Sequence, residues 1–133
     1  MRVIADSHAA LWYANSSQRL SGPARRALAN AEDGLGGIVV SVATLIDLWY
    51  VTQTTQGVSA GDLGRLRVGM LSSPAVELYP VDVAVSDAYI GIDRGLISDP
   101  WDRLIVATAL ALEVPLVTRD GAIRASGLVE TLW

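Results

Sequence analysis

A chain of 133 residues, 51% apolar and 18% charged, is long enough to bury the core of one domain and too apolar to be disordered, so we expect a single domain over 1–133. The absence of cysteine excludes thiol catalysis, disulfides and thiolate metal sites. The net charge of −4, with ten arginines and no lysine, excludes a generic nucleic-acid binder with a basic face; contact with nucleic acid would need a divalent cation to offset the acids.

Hydrophobic periodicity and turn residues predict six helices and five strands. In chain order these are a strand at 2–6, helices at 7–15 and 21–32, a strand at 36–41, helices at 42–54 and 59–73, a strand at 76–82, helices at 83–92 and 99–113, and strands at 115–120 and 129–133. An acid and a histidine break up any signal-peptide core near the amino terminus. The most apolar stretch, "LIVATALALEVPLV", is interrupted by Thr108, Glu113 and Pro115, so we expect a soluble cytoplasmic protein that does not contact a membrane.

The alternation of strands and helices predicts an α/β fold with a mostly parallel sheet covered on both faces. In such sheets ligands bind outside the carboxyl ends of the strands. Asp6 ends the first strand, Asp120 ends "PLVT", and Asp102 lies in the first turn of the helix that leads into that strand. We therefore expect these three carboxylates at one edge of the sheet, although an acid at a strand end also commonly caps the next helix.

The segment "SDPWDRLIVATAL" begins the helix at 99–113. Asp99 followed by Pro100 is typical of an N-cap with proline at the first helical position. Asp102 then falls at the third helical position, where its carboxylate can reach back to the cap and face the positive end of the helix dipole.

Asp47 is the most unusual acid, because it lies in the apolar run "TLIDLWYV", whose helix we expect to be buried over most of its circumference. A lone buried carboxylate costs several kcal/mol, so it needs a cation or a proton. No basic residue occurs between Arg26 and Arg65. A metal ion, a distant arginine and a rotation of this helix towards solvent are the three explanations.

Four carboxylates without cysteine, and with a single histidine, favour Mg²⁺ or Mn²⁺ over zinc, since these hard cations prefer oxygen ligands. Such a cluster can activate a water and stabilise the charge that develops on a phosphodiester. This is the chemistry of a nuclease.

The segments "MRVIADSHAALWYANSSQRLS", "SVATLIDL", "DPWDRLIVATAL" and "PLVTRD", in this order, resemble the PIN-domain family, and most closely the VapC-type toxins of bacterial toxin–antitoxin pairs. The resemblance covers residues 2 to about 123. It implies a metal-dependent endoribonuclease on a three-layer α/β/α sandwich with a central parallel sheet. It also implies a cognate antitoxin that blocks the site, an RNA substrate and, commonly, a homodimer.

The resemblance assigns a role to each matching residue. Asp6 and Asp102 match acids that bind the metal directly, and Asp120 matches one that completes the cluster, often through a metal-bound water. Asp47 stands where the family usually has glutamate. Because aspartate is one methylene shorter, we expect a reduced activity or an altered metal preference. The hydroxyls that match positions near these acids, and that we expect to orient them, belong to Ser7 and Thr118.

Other residues near the acids have two possible interpretations each. Arg103 and Arg119 could contact RNA phosphate or pair with Asp99 or Asp120. His8 is more often structural at such a position, and we assign it no role. The tryptophans at 12, 49 and 101 could stack on bases, but we expect them in the core or in dimer packing.

Two other functions remain open from the sequence. The chain could have lost catalysis and act as an interaction module, with Asp47 as the sign of a relaxed site. Alternatively, the same metal chemistry could act on DNA, although the short chain leaves little room for elements that grip a duplex.

Overall fold

The structure, a computed structural model, describes residues 1–54 and 57–133. A parallel five-stranded sheet runs through it in the order β3-β2-β1-β4-β5. The strands are β1 (Val3–Ala5), β2 (Ile38–Ser41), β3 (Val76–Tyr79), β4 (Leu116–Val117) and β5 (Thr131–Leu132). The expected α/β class is confirmed, and every strand pair in the described residues is parallel.

Seven helices connect the strands. They are α1 (Ser7–Ala14), α2 (Gly22–Glu32), α3 (Val42–Thr54), α4 (Ala60–Ser72), α5 (Val83–Gly91), α6 (Pro100–Leu112) and α7 (Gly121–Ser126). None of the helices in the described ranges is long and apolar enough to cross a membrane.

The sheet separates two apolar cores, because successive strand residues face opposite sides. Val3 and Ala5 of β1 pack into a core formed with α1, α2 and α4, and Ile4 packs into a second core formed with α5, α6 and α7. The architecture is therefore the expected three-layer α/β/α sandwich.

The sequence located the elements better than their ends. Each strand is shorter than predicted, and α6 ends at Leu112 because Glu113 adopts a left-handed conformation with φ of 56°. Helix α7 was not predicted, since six residues beginning with glycine carry no clear periodicity. The signal available for it was Asp120, whose side chain caps it.

The prediction that α3 is buried over most of its circumference is wrong. Only Ala43, Thr44 and Leu48 are buried, whereas an apolar and aromatic face lies in solvent. The half-exposed residues of that face are Ile46, Trp49 and Tyr50. Of the tryptophans expected in the core or in dimer packing, Trp12 lies in the core at 6% exposed, whereas Trp49 is 49% exposed and lies outside it.

Candidate active site

A cleft of about 360 Å³ lies at the carboxyl ends of β1 and β4. It contains the four predicted acids together with Asp99. Its lining consists of Asp6, Ser7, His8, Asp47, Asp99, Asp102, Arg119 and Asp120. The topology thus brings together acids that are more than one hundred positions apart in the sequence, as the parallel sheet predicted.

Three of these aspartates are also helix caps. Asp6 Oδ1 accepts from the Ala9 N–H at 2.8 Å, and Asp120 Oδ1 accepts from the Ile123 N–H at 2.9 Å. Asp99 Oδ1 accepts from the N–H groups of both Trp101 and Asp102 at 3.0 Å. Because every one of these bonds goes to Oδ1, capping leaves Oδ2 of each carboxylate available for other ligands.

Asp102 occupies the third position of α6 but does not close a capping box there. Helix α4 shows the complete motif, in which Ser59 N–H donates to the Asp62 carboxylate while Ser59 Oγ accepts from Asp62 N–H. In the described part of the chain the Asp102 carboxylate accepts no such return bond and lines the cleft instead. The expectation that Asp102 reaches back to the cap is therefore corrected.

Asp47 enters the cleft from α3 and is half-buried. Its Oδ2 accepts a hydrogen bond of 2.6 Å from Ser7 Oγ. Among the described residues no arginine pairs with it. Of the explanations for an acid in this apolar helix, the structure rules out a paired arginine within those residues and supports the partial rotation towards solvent.

The second predicted hydroxyl lies between two acids. Thr118 is fully buried, and its Oγ1 accepts from the Asp120 N–H at 3.0 Å. Its hydroxyl also interacts favourably with the ionised Asp6 carboxylate, which lowers the pKa of Asp6. Ser7 and Thr118 therefore each contact an acid of the cleft.

Burial and mutual repulsion disfavour the ionised carboxylates. Burial raises the pKa of Asp6 above its usual 3.8, and hydrogen bonds from Thr118 and Ala9 only partly oppose it. Burial first, and then the charges of four neighbours, raise the pKa of Asp102 from 3.8 to about 7. Those neighbours are Asp99, Asp120, Asp47 and Asp6. A cation in the cleft would relieve this repulsion.

The donor chemistry of the cleft fits Mg²⁺ or Mn²⁺, because the cleft offers carboxylate oxygens and no thiolate. Within residues 1–54 and 57–133, however, no three acidic or histidine side chains stand where they could hold one ion together. The expected three-ligand set of Asp6, Asp102 and Asp120 is therefore not preassembled. Mg²⁺ commonly keeps several waters and takes only one or two carboxylates, so two of these acids plus water suffice.

The raised pKa of Asp102 predicts a pH-dependent stability in EDTA. Between the unfolded value of 3.8 and the folded value of about 7, the folded chain binds more protons, so the free energy of unfolding falls as pH rises through this window. Asp102→Asn removes the ionisable carboxylate and with it the free-energy cost of holding its charge in the folded cleft. We expect its Tm to exceed that of the wild type by about 3–6 °C at pH 8, corresponding to roughly 1 kcal/mol after solvent screening, and by less at pH 5.

Thermal unfolding followed by circular dichroism measures this difference. Asp87→Asn is the matched control, because it removes an exposed carboxylate on α5 outside the cleft. An advantage of Asp102→Asn that is equal at both pH values would contradict the assigned cause.

Arg103 does not face the acids, which corrects both expectations for it. It is 9% exposed, and its guanidinium donates to the carbonyls of Tyr89 at 2.9 Å, Ile92 at 3.1 Å and Ile97 at 2.9 Å. It also lies 4.7 Å from the centroid of the Tyr89 ring. Its role in the structure is to fix the connection between α5 and α6.

Arg119 does line the cleft and is exposed. Its guanidinium carbon lies 4.5 Å from the centroid of the Trp12 ring, and it forms no ion pair with an acid of the described residues. His8, to which sequence reasoning gave no role, also lines the cleft, with its ring 5.3 Å from that of Trp12. The buried Trp12 therefore supports two cationic or ionisable groups at one wall of the site.

A larger cavity of about 620 Å³ lies elsewhere, lined by residues of α1, α2 and α4. It contains none of the four predicted acids. Its size alone does not make it the active site, because the convergent carboxylates lie in the smaller cleft.

Comparisons with known proteins identify the family of the chain. The family model described as "PIN domain" matches residues 3–126. The chain is 29% identical over 123 residues to Ribonuclease VapC22 of Mycobacterium tuberculosis (strain ATCC 25618 / H37Rv), an alignment that covers 92% of this chain and 89% of that protein.

Solved structures share the fold at low sequence identity. The crystal structure of VapBC2 from Rickettsia felis bound to a promoter DNA fragment contains a chain that matches with a TM-score of 0.71 and 16% identity, covering 98% of this chain and 97% of that one. A toxin–antitoxin complex from Klebsiella pneumoniae matches with a TM-score of 0.64 and 16% identity, covering 96% and 94%. At these identities the likeness shows the fold.

Proposed function

The chain belongs to the PIN-domain family, and from that premise we propose that it is a metal-dependent endoribonuclease and the toxin of a toxin–antitoxin pair. The observation that carries the proposal is the cleft into which five aspartates converge, where burial and then the repulsion of the neighbouring carboxylates raise the pKa of Asp102 to about 7. A cleft of this charge repels RNA unless a cation occupies it. The name of the relative, Ribonuclease VapC22, supports RNA as the substrate class.

Asp6 and Asp102 would hold Mg²⁺ or Mn²⁺, with Asp120 contributing directly or through a water. When bound, the ion supplies a water of lowered pKa and offsets the charge that develops on the phosphodiester. Thr118 favours the ionised Asp6 carboxylate and accepts from the Asp120 N–H, so it would stabilise the charge of one acid and fix the backbone of the other. Arg119, free of ion pairs within the described residues, would contact a flanking phosphate.

Cation binding in the cleft is coupled to the protonation of Asp102. Because the pKa of Asp102 is raised in the free cleft, cation binding near neutral pH would displace a proton from this carboxylate. No side chain needs to attack the phosphodiester, so the reaction would proceed without a covalent enzyme intermediate.

We further propose an antitoxin protein as partner, a homodimer as the assembled form and the cytoplasm as the compartment. Support for the antitoxin comes from the matched structures, which include toxin–antitoxin complexes. Apolar side chains that are largely exposed on α5, such as Val83 at 76% and Ile90 at 78%, are compatible with a second copy or a partner.

Two measurements separate this function from the alternatives. Calorimetric titration with Mn²⁺ should show binding at millimolar concentration or below, and the purified protein should cut an RNA oligonucleotide but not the DNA of the same sequence. Absence of Mn²⁺ binding at millimolar concentration would favour the interaction module. That alternative is motivated by Asp47 and by the open ligand set. Cleavage of DNA alone would assign the DNA-directed nuclease.

Replacing Asp47 with glutamate should strengthen metal binding. The carboxylate of Asp47 is held by Ser7 Oγ at 2.6 Å, and a glutamate would extend one methylene further into the cleft. We expect Asp47→Glu to lower the half-saturating Mg²⁺ concentration for RNA cleavage by about tenfold, the lower end of what outer ligands contribute.

The matched variant is Asp47→Asn, which keeps the length and removes the charge; it should raise the half-saturating concentration. If both variants match the wild type across a Mg²⁺ titration, Asp47 does not contribute to the metal site.

A further inference from the structure

Three aromatic side chains form a continuous patch across α3 and α6, which we call the aromatic shelf: Trp49, Tyr50 and Trp101. The rings of Trp49 and Tyr50 meet edge to face with centroids 4.9 Å apart, and those of Tyr50 and Trp101 lie 5.9 Å apart with an interplanar angle of 34°. Trp49 and Tyr50 are each 49% exposed. Flat apolar rings are thus presented to solvent.

The shelf adjoins the acid cleft. Tyr50 lies three residues after Asp47 on α3, which places the two on neighbouring turns of one helix face, and Trp101 directly precedes Asp102 on α6. Both helices that carry the shelf therefore also deliver a carboxylate to the cleft. A polymer whose backbone crosses the acids would pass the rings.

Positive charge is scarce at this edge. In the described part of the chain only Arg119, of the ten arginines, lines the cleft. Arg103 is committed to backbone carbonyls, and Arg2 and Arg65 are paired with Glu77 and Asp62. The cleft itself therefore offers one arginine for a phosphate, so RNA affinity at this edge must come largely from the other recognisable feature of RNA, the faces of its bases.

We propose that the aromatic shelf stacks unpaired bases of an RNA strand beside the phosphodiester held at the acid cleft. The inference rests on the proposed ribonuclease function and adds single-stranded character to its substrate. Stacking on tryptophan and tyrosine tolerates any base, since every base has a π face. The shelf would therefore select unpaired segments over duplex, where the faces are hidden.

A second copy of the chain fits the shelf less well. The three rings and the half-exposed Ile46 beside them on α3 offer roughly 400 Å² of contact area, whereas a stable interface buries about 800 Å² on each partner. A base, by contrast, needs only one or two rings.

Binding of a fluorescein-labelled single-stranded RNA of about 12 nucleotides, a length within the range of stacking sites, tests the inference. Anisotropy titrations use the Asp102→Asn background with Mg²⁺, so that the probe is not cut, and are repeated with an abasic oligonucleotide of the same length and charge. We expect Tyr50→Leu and Trp101→Leu each to raise the Kd for RNA by about tenfold, and to leave the Kd for the abasic strand unchanged.

Two matched variants control for bulk and hydrophobicity. Tyr50→Phe keeps the ring and should bind within about twofold of the parent, because stacking does not need the hydroxyl. Leu35→Ala removes a side chain that is 87% exposed outside the shelf and should have no effect. Sedimentation of each variant reports the oligomeric state.

The results of these titrations distinguish failure of the stacking proposal from failure of the ribonuclease proposal. The stacking role of the aromatic shelf would be overturned if both leucine variants kept the RNA affinity of the parent, or if a leucine variant altered only the oligomeric state. The ribonuclease function would still stand if the wild type cleaved RNA. Base-dependent binding with no cleavage by the wild type would overturn the ribonuclease and support the shelf.

Discussion

Replacing Asp102 with asparagine is expected to reduce RNA cleavage at least about 100-fold, the upper end of the loss seen for residues that only orient a ligand. Asparagine keeps the shape of the side chain and removes the charge that would hold the cation. Burial and the charges of the neighbouring aspartates raise the pKa of Asp102 to about 7, and its carboxylate caps no helix within the described residues. Gel analysis of labelled RNA with excess Mg²⁺ measures the rate.

Asp87→Asn serves as the charge-matched control, because Asp87 is exposed on α5 and does not line the cleft. It should cleave RNA at the wild-type rate. Full activity in Asp102→Asn, with a circular dichroism spectrum equal to that of the wild type, would remove Asp102 from the site.

Replacing Arg103 with methionine is expected to lower the free energy of unfolding by about 3 kcal/mol, since hydrogen bonds to a charged group contribute roughly 1.5–3 kcal/mol each and the carbonyls left behind stay buried. The guanidinium donates to four carbonyls, those of Tyr89, Ile92, Asp93 and Ile97. The carbonyls of Ile92 and Ile97 have no other donor among the described residues. Methionine preserves much of the apolar length, so the loss reports the hydrogen bonds. Urea denaturation measures it.

Arg124→Met on α7 is the control, because Arg124 is exposed. It should change the free energy of unfolding by less than about 0.5 kcal/mol, as surface substitutions usually do. A loss below 1 kcal/mol in Arg103→Met would mean that water or a rearranged loop satisfies the carbonyls.

The neighbours Asp102 and Arg103 show what the sequence could and could not predict. Adjacent letters suggested a shared site, but successive residues of a helix are rotated by about 100°, so Asp102 faces the cleft while Arg103 points into the interior. Which side a helix buries depends on its packing against α5, and the local sequence does not contain that information.

The convergence of the acids was predictable because it follows from the topology. Parallel strands end at one edge, and this places Asp6 and Asp120 together whatever the details of the loops. The sequence also predicted that Asp6 and Asp120 can cap the helices that follow them. It did not predict that the acids lie too far apart for three of them to hold one ion, since these distances depend on side-chain rotamers.

The exposure of α3 was the clearest failure. Apolar residues at helical intervals normally indicate a buried helix, but Trp49 and Tyr50 lie at the surface beside the cleft. An apolar helix face can pack against the protein's own core or against a ligand. The hydrophobic pattern in the sequence is the same in both cases.

The most direct test of metal-dependent endoribonuclease activity is the cutting of a closed circular RNA by the purified wild-type chain. A circle has no ends, so only an internal cut can linearise it. We expect linear RNA to accumulate with Mg²⁺, to be absent in EDTA, and to return when Mg²⁺ is added in excess of the EDTA. Linearisation at an equal rate in EDTA, or an intact circle at every Mg²⁺ concentration, would contradict a metal-dependent endoribonuclease at the acid cleft.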